Sequence, residues 1–359
     1  MKQVRLGVIG CGGIANNYHL PALSRVEGAK LVYACDIIPE RAMNIMKKFG
    51  FEKYTLDYKE ILADPTIDAV CIFTKIEMHA IIAIAAAKAK KHIFMQKPFA
   101  YSIEEGRKII RAVEENGVKF TPSFMHSYIN YSLAAKKLID DGMVGDIIYI
   151  RHRNALKNPH ETAPSYGGCM MDIGVHGMDL ICTLASSDVK SVFAHHIYPL
   201  PEDAASSYGE NAHLNGIEYE ALLQYELENG IKVNHDIFWG QISKPYRFET
   251  EIYGTKGAIY MHAPAGANQE SYNGNSDDDS IRYAYREDGS WRGLKMEDFK
   301  SYPVEDVFFG YVHHKTFIDD LLNGTNYSKN ARNGFVPLQI VEAARRSIQS
   351  GKREQVLGI

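Results

Sequence analysis

Cysteine is scarce in this chain of 359 residues: the five are Cys11, Cys35, Cys71, Cys169 and Cys182. The number is odd, no two form a C-x-x-C pair, and three sit inside apolar runs. That usage argues against a disulfide framework and for a reducing compartment, with the cytoplasm expected. Long apolar runs are missing too, so nothing approaches the roughly 18 residues of a membrane-spanning helix. The opening stretch passes from Met1-Lys2 straight towards Gly10, without the length or cleavage site of a signal peptide. There is no excess of one charge: 40 Lys+Arg stand against 44 Asp+Glu, a net −4. A chain so near neutrality has no global field with which to hold nucleic acid. Internal repeats and long low-complexity tracts are absent as well. What is present is ordinary: 45% hydrophobic and 23% charged residues, which excludes disorder over most of the length. The length suits two domains, each able to bury its own core without a disulfide or metal staple.

The first part alternates strand-like and helix-like segments. Short apolar runs at Val4–Ile9, Leu31–Cys35, Ala69–Phe73, His92–Met95 and Val118–Phe120 read as strands. Between them, helical spacing covers Ile14–Val26, Glu40–Phe49, Tyr58–Leu62, His79–Lys90 and Ile103–Asn116. Ser102 with Glu105 three residues on forms a capping box for the last of these. Continuous apolar strands alternating with helices imply a parallel sheet covered on both faces. The second part reads differently. Helices are expected over Ser132–Asp141, Met170–Leu184, Tyr311–Leu322 and Val336–Ser350. Strands are expected over Ile147–Arg153, Val192–Tyr198, Glu220–Tyr225, Lys232–Phe238, Phe248–Tyr253 and Ala258–His262. Turn signals such as Asn229-Gly230 join successive strands, which points to an open, mainly antiparallel sheet. Residues 263–300 are polar and read as an inserted loop. The expected class is therefore α/β, with an N-terminal Rossmann-type parallel sheet over 1–122. An α+β domain follows over 123–359, its last helices able to pack back on the first domain.

Gly10-Cys11-Gly12-Gly13-Ile14-Ala15 matches G-x-G-x-x-A between the first strand and the first helix. Gly10 suits the tight turn, Gly12 lets backbone approach a pyrophosphate, and Ala15 lets helix and strand pack closely. The helix start at Gly13 and Ile14 offers free N–H groups and a partial positive charge to phosphates. Asp36, at the end of the second strand, suits the two hydroxyls of an adenosine ribose and repels a 2′-phosphate. The residues after it, Ile37-Ile38-Pro39, supply no cation, although Arg41 is nearby. NAD is the expected cofactor.

Several further motifs follow in order: His19-Leu20-Pro21-Ala22-Leu23, Lys97-Pro98, Asp141-Gly142 with Gly145-Asp146, and Gly167-Gly168. After these come Asp172-x-Gly174-x-His176-x-x-Asp179 and Gly254-Thr255-Lys256-Gly257. With the fingerprint, these resemble the Gfo/Idh/MocA family, named for glucose–fructose oxidoreductase, inositol dehydrogenase and a rhizopine-catabolism protein. The resemblance covers almost the whole chain. It implies a Rossmann domain, a second domain with an open sheet that binds substrate and mediates oligomerisation, bound nicotinamide, and a sugar or cyclitol substrate. It also implies Thr74, His79, Gln96 and Lys97 on the cofactor side. The chain departs from the family's usual Glu-Lys-Pro at Gln96-Lys97-Pro98, which removes an ion partner for Lys97. It departs again over Thr74-Lys75-Ile76-Glu77-Met78-His79, where the family commonly has Thr-Pro-Asn-x-x-His. The bond before Pro98 can be cis, as at many strand ends, or an ordinary trans turn.

Asp172 and His176 stand four apart on an expected helix and so share a face, with Gly174 between them to admit substrate or cofactor. Asp179 either faces His176 or turns to the core. Oxidising a secondary alcohol needs a hydride acceptor and a base for the hydroxyl proton. NAD supplies the first. Histidine is the natural base near neutral pH, which nominates His176, with Lys97 stabilising the developing alkoxide and Asp172 holding a second hydroxyl or the imidazole. Lys97 is the alternative base. Softer substrate-side candidates are His126, Tyr128, Arg153, Asn154, His160 and Tyr166; the resemblance puts an Arg at the position of His126 in many members. The pair His195-His196 cannot chelate one ion, because neighbours on a strand point to opposite faces. His313-His314 and Asp277-Asp278-Asp279 are weak metal candidates, and no metal is expected.

The leading expectation is an NAD-dependent dehydrogenase acting on a ring hydroxyl of a sugar, glycoside (C3 included) or cyclitol, in a dimer or tetramer. A redox-neutral enzyme that oxidises a glycoside transiently, allows elimination and regenerates NAD is the alternative. A non-catalytic dinucleotide-binding sensor is a third reading, disfavoured by the presence of both Lys97 and His176. No nucleic-acid or membrane partner is expected.

Overall fold

The early strands pair in parallel because each is followed by a segment that carries the chain back to the same edge. The structure, a computed structural model, describes residues 2–156, 167–199, 218–239, 246–264, 281–294 and 310–358. The chain divides into two compact units: Met1–Met125 with Phe308–Phe335, and His126–Val307 with Val336–Ile359.

The first unit holds β1 (Val4–Ile9), β2 (Ala29–Cys35), β3 (Lys53–Thr55), β4 (Ala69–Ile72), β5 (His92–Gln96) and β6 (Phe120–Ser123). They form one sheet in the order β3-β2-β1-β4-β5-β6, every pair parallel. That order reverses direction beside β1, which is where doubly wound sheets bind their ligands. Its helices are α1 (Leu20–Leu23), α2 (Pro39–Phe49), α3 (Tyr58–Ala63), α4 (His79–Lys88), α5 (Ile103–Asn116) and α8 (Tyr311–Asn323). Leu6, Val8, Ala34, Cys71, Phe94 and Phe317 are at most 1% exposed and form its centre. Ser102 caps α5, its Oγ accepting the Glu105 N–H at 3.2 Å, and Glu105 reaches back to the Tyr101 N–H at 3.1 Å.

Three expectations for this unit need correcting. The helix expected over Ile14–Val26 is a π turn, Ala15–His19, followed by only four α-helical residues. Pro21 has no N–H to continue the ladder, so the chain widens before it and closes with short turns after Leu23. The last strand begins at Phe120, not Val118, because the Val118 N–H closes the end of α5 on the Val113 carbonyl. The short edge strand β3 was not expected; its exposed Lys53 and Tyr54 give no apolar signal.

Among the described residues the second unit holds α6 (Asn130–Asp140), α7 (Val175–Ala185) and a nine-stranded sheet. Helix α9 (Ala331–Ser350) begins in the first unit and continues into the second. The strands are β7 (Ile147–Leu156), β8 (Val189–Pro199), β9 (Glu218–Leu227), β10 (Lys232–Trp239), β11 (Tyr246–Gly254), β12 (Gly257–Pro264), β13 (Ile281–Tyr285), β14 (Arg292–Gly293) and β15 (Glu354–Gln355). Their order is β14-β13-β12-β11-β7-β10-β9-β8-β15, antiparallel except for β7 with β10. Burial alternates along β10: Val233, His235, Ile237 and Trp239 point to the covered face. Two of these strands, β13 and β14, fall inside the stretch expected to be a loop. Only Ile281 and Ala284 are buried along β13, too short a signal to show through polar surroundings. The acidic run Asp277-Asp278-Asp279 lies outside the described residues.

Candidate active site

In the first unit the glycine loop leaves β1 at Gly10, whose φ of 95° is a left-handed conformation suited to glycine. A Cβ there would lie 2.6 Å from the Phe73 carbonyl oxygen, so the turn is pressed against the end of β4. Gly12 is the opposite case: a Cβ would meet nothing within 4 Å. Gly13 is nearly as open, with the Asn17 amide at 3.9 Å. Ile14, half-buried, begins the turn, and Ala15 is fully buried where the loop meets the sheet. Asp36 closes the other side. Its Oδ2 accepts the Cys11 N–H at 2.8 Å and its Oδ1 accepts the Ile38 N–H at 2.9 Å. Each oxygen keeps a further lone pair for a ligand hydroxyl. Burial, reinforced by the Asp36 charge, pushes the Cys11 and Cys35 thiols up to about 12, so neither is a nucleophile.

The loop after β4 lies against the same turn, with the Thr74 N–H 3.0 Å from a Cβ on Gly10. Thr74 Oγ1 is buried without a hydrogen-bond partner. His79 is turned inward, 1% exposed, with Nδ1 2.8 Å from the Pro98 carbonyl and Nε2 3.2 Å from the Thr74 carbonyl. Burial lowers its pKa to about 4, so the ring is neutral and donates to one carbonyl at a time. His79 thus braces the two loops that carry Thr74 and Lys97. The Lys97–Pro98 bond is cis. Gln96 Oε1 accepts the Lys97 N–H at 2.8 Å, so the amide oxygen of the residue that stands for the family's usual glutamate is engaged by the main chain. An open, N–H-lined loop, a held carboxylate and an orphaned hydroxyl together fit a dinucleotide.

In the second unit the α7 region collects the other candidates. Asp172 sits in a π turn, Met170–Gly174, that runs directly into α7, and His176 lies in the first turn of α7. Both are buried, 3% and 4% exposed. Gly174 does not open the backbone to a ligand as expected. A Cβ there would lie 2.8 Å from Ile237 Cδ1, so this glycine makes room for β10. Gly177 does the same for β7, since a Cβ would collide with Asn154 Oδ1 and lie 2.6 Å from the His152 ring. Asn154 is fully buried, its Oδ1 accepting from His235 Nε2, while His235 Nδ1 pairs with the Tyr225 hydroxyl at 2.8 Å. His152 pairs with Thr250 Oγ1 at 2.8 Å, and burial lowers its pKa to about 3. The helix bearing His176 therefore rests on a seat of neutral, hydrogen-bonded polar groups.

His126 and His176 come together, their rings T-shaped with centroids 4.3 Å apart. Ser127 Oγ donates to Asp179 Oδ2, so Asp179 turns to the segment carrying His126. That segment is a short 3₁₀ turn, Met125–Tyr128, with Tyr128 half-buried at its end. Arg153 and Asn154 are not brought together. They point to opposite faces of β7, and Arg153 is paired with Glu249 at 2.9 Å. His160 and Tyr166 lie outside the described residues. Sequence reasoning missed Gly177. A glycine directly after His176 was the visible sign that this helix must lie close to something.

Residues 4–124 match the family described as an oxidoreductase family with an NAD-binding Rossmann fold, and residues 132–260 match the Gfo/Idh/MocA C-terminal domain. Over 264 residues the chain is 31% identical to the scyllo-inositol 2-dehydrogenase (NAD(+)) of Bacillus subtilis strain 168, covering 72% of this chain and 74% of that protein. Over 360 residues it is 23% identical to the myo-inositol 2-dehydrogenase of Thermotoga maritima, covering 99% of this chain and 100% of that one. Among solved structures, levoglucosan dehydrogenase in complex with NADH and levoglucosan shares the fold, with a TM-score of 0.82 and 22% identity over 99% of this chain and 100% of that one.

Proposed function

The chain belongs to the Gfo/Idh/MocA oxidoreductase family, and from that premise we propose that it is an NAD-dependent dehydrogenase oxidising a secondary ring hydroxyl of a cyclitol or sugar. The observation that carries the reading is the pairing of the open Gly12 loop with the held Asp36 carboxylate, in a chain 31% identical to an inositol dehydrogenase. NAD, when bound, supplies the hydride acceptor. Gly10, Gly12, Gly13 and Ile14 would hold its phosphates, Asp36 its adenosine ribose, and Thr74, Gln96 and Lys97 its nicotinamide half, with His79 bracing Thr74 and Lys97. Asp36 also favours NAD over NADP by repelling a 2′-phosphate.

The chain's own catalytic work falls to Lys97, Asp172 and His176. His176 takes the hydroxyl proton on an imidazole nitrogen. Lys97 stabilises the negative charge growing on the same oxygen through its ammonium group. Asp172 holds a neighbouring hydroxyl, which fixes which ring carbon faces the cofactor. His126 and Tyr128 stand on the substrate side, and His160 and Tyr166 remain candidates there. Asn154 acts from within the sheet, through the seat of α7, whereas Arg153 faces away from that seat and is held by Glu249.

The free cysteines suit a reducing compartment, and the cytoplasm is the proposed location; among the described residues no helix is long and apolar enough to cross a membrane. The less covered sheet face carries Tyr149 stacked on Tyr253, Arg151 near Asp236 and the Arg153–Glu249 pair. It combines tyrosine with charge, and it suits a homo-oligomer contact that solution mass would test. The function is tested by offering the purified protein NAD with a panel of inositols, sugars and glycosides and following NADH by its near-ultraviolet absorbance. Growth of NADH with one class supports the reading. Substrate consumption without NADH would turn it towards redox-neutral chemistry.

A further inference from the structure

The turn Met125–Tyr128 grips α7 at two points. Ser127 Oγ donates to Asp179 Oδ2, and Asp179 lies one helical turn beyond His176. One residue before Ser127, the His126 ring stands T-shaped against His176, centroids 4.3 Å apart at 75°. From β11, Phe248 closes on His126 with centroids 4.2 Å apart. The two imidazoles are 5% and 4% exposed, so little water separates or screens them.

Two cations at that distance in a poorly hydrated place repel, so such a pair accepts one proton far more readily than two. We propose that His126 is a positioning residue that orients the His176 ring and holds down its proton affinity; the catalytic consequence rests on the reading of His176 as the base. An aromatic neighbour alone would supply the orientation. The proton coupling needs an imidazole at position 126, which is what this chain has. Other titratable groups among the described residues stand near the pair. Asp179 is reached through Ser127, and Asp172 precedes His176 by four residues on the π turn. His262 on β12 and Tyr131 on α6 line a small pocket with His126, together with Phe248 and Thr250 of β11. His152, paired with Thr250, is kept neutral by burial.

The coupling gives the base a working range. While His126 is neutral, His176 can receive the hydroxyl proton. Once the pair holds that proton, a second is resisted, and so the site does not fill with charge as pH falls. Removing His126 leaves His176 to titrate alone.

The test is a proton–nitrogen NMR titration of the histidine rings in the full chain, without cofactor or substrate. In the wild type, His126 and His176 are expected to titrate in two steps separated by about one pH unit or more. In His126→Phe, which keeps an aromatic ring against His176, a single step is expected, its midpoint raised by roughly half a pH unit or more. Ser127→Ala, which cuts the tie to Asp179 but leaves both rings, is expected to draw the wild-type steps together. Independent titration of the two rings at indistinguishable midpoints, with His176 unmoved in His126→Phe, overturns the proposal. Kinetics then tests the dependence on function: the acid limb of kcat/KM for NAD reduction should move to higher pH in His126→Phe by the same amount. Coupled titration in a protein that reduces no NAD with any polyol upholds the pairing and overturns the dehydrogenase reading instead.

Discussion

Gly12 in the first unit and Gly177 in the second both lack a side chain for spatial reasons, but the reasons are opposite. Around Gly12 the space a Cβ would take is empty. Around Gly177 it is filled by Asn154 and His152 of β7. One glycine keeps room for something that is not protein, and the other lets two parts of the protein touch. The contrast extends to their surroundings. The Gly12 loop is framed by main-chain groups and one carboxylate, Asp36. The α7 seat is framed by side chains from distant strands: His152 with Thr250, and Asn154 with His235 and Tyr225. The loop proposed to take the cofactor is built on backbone, and the surroundings of the proposed base are built on side chains.

The comparison can be broken in several ways. The largest effect is expected at the proposed chemistry itself. His176→Ala and Lys97→Ala should each slow single-turnover hydride transfer by about a hundredfold or more, with the thermal transition unchanged. If both transfer at near wild-type rates, the catalytic assignment is wrong. Next is Gly177→Ala, which forces the His176 helix off β7 and should cost about 1–3 kcal/mol in urea unfolding. Gly12→Ala should leave stability within about 0.5 kcal/mol, because nothing opposes the new methyl group. It should nonetheless weaken NAD binding by about tenfold in calorimetry, if the loop takes the cofactor's phosphates as proposed. Equal effects of both substitutions on stability would erase the distinction.

A smaller, graded effect is expected from acid. Burial holds His79 near about 4, and His314 and His152 near about 3, in the folded protein. In the unfolded chain the same groups bind a proton below about 6.5. Between those values the unfolded state carries more protons, so stability is complete above about pH 6.5 and falls as pH drops. Each such histidine contributes a slope of about 1.4 kcal/mol per pH unit. Urea midpoints compared near pH 7 and pH 5.5 should show the fall. Substituting His314, in the first unit, should lessen it, and a flat profile would contradict the burial argument.

How much of this was legible in the sequence follows the same division. The parallel sheet, its order of helices and the Gly10–Ala15 turn announce themselves, because glycine, capping serine and apolar runs are local signals. The Ser102 cap falls on the expected residue for that reason. The π turns at Ala15–His19 and Met170–Gly174 do not show, since they answer to Pro21 and to β10 packing rather than to periodicity. Asp172, His176 and Lys97 could be named from motifs. The His126–His176 and Ser127–Asp179 contacts could not, because they join segments about 50 residues apart in sequence. Arg153 and Asn154 looked like neighbours in one pocket, and strand alternation sends them to opposite faces.

The central claim is that this chain removes a hydride from a ring carbon and gives it to NAD. The most direct measurement uses an inositol or sugar deuterated at its ring carbons, with mass analysis of the cofactor after turnover. One deuterium in NADH for each ketone formed is the predicted result. Consumption of the labelled substrate with no deuterium in the cofactor pool would contradict the account.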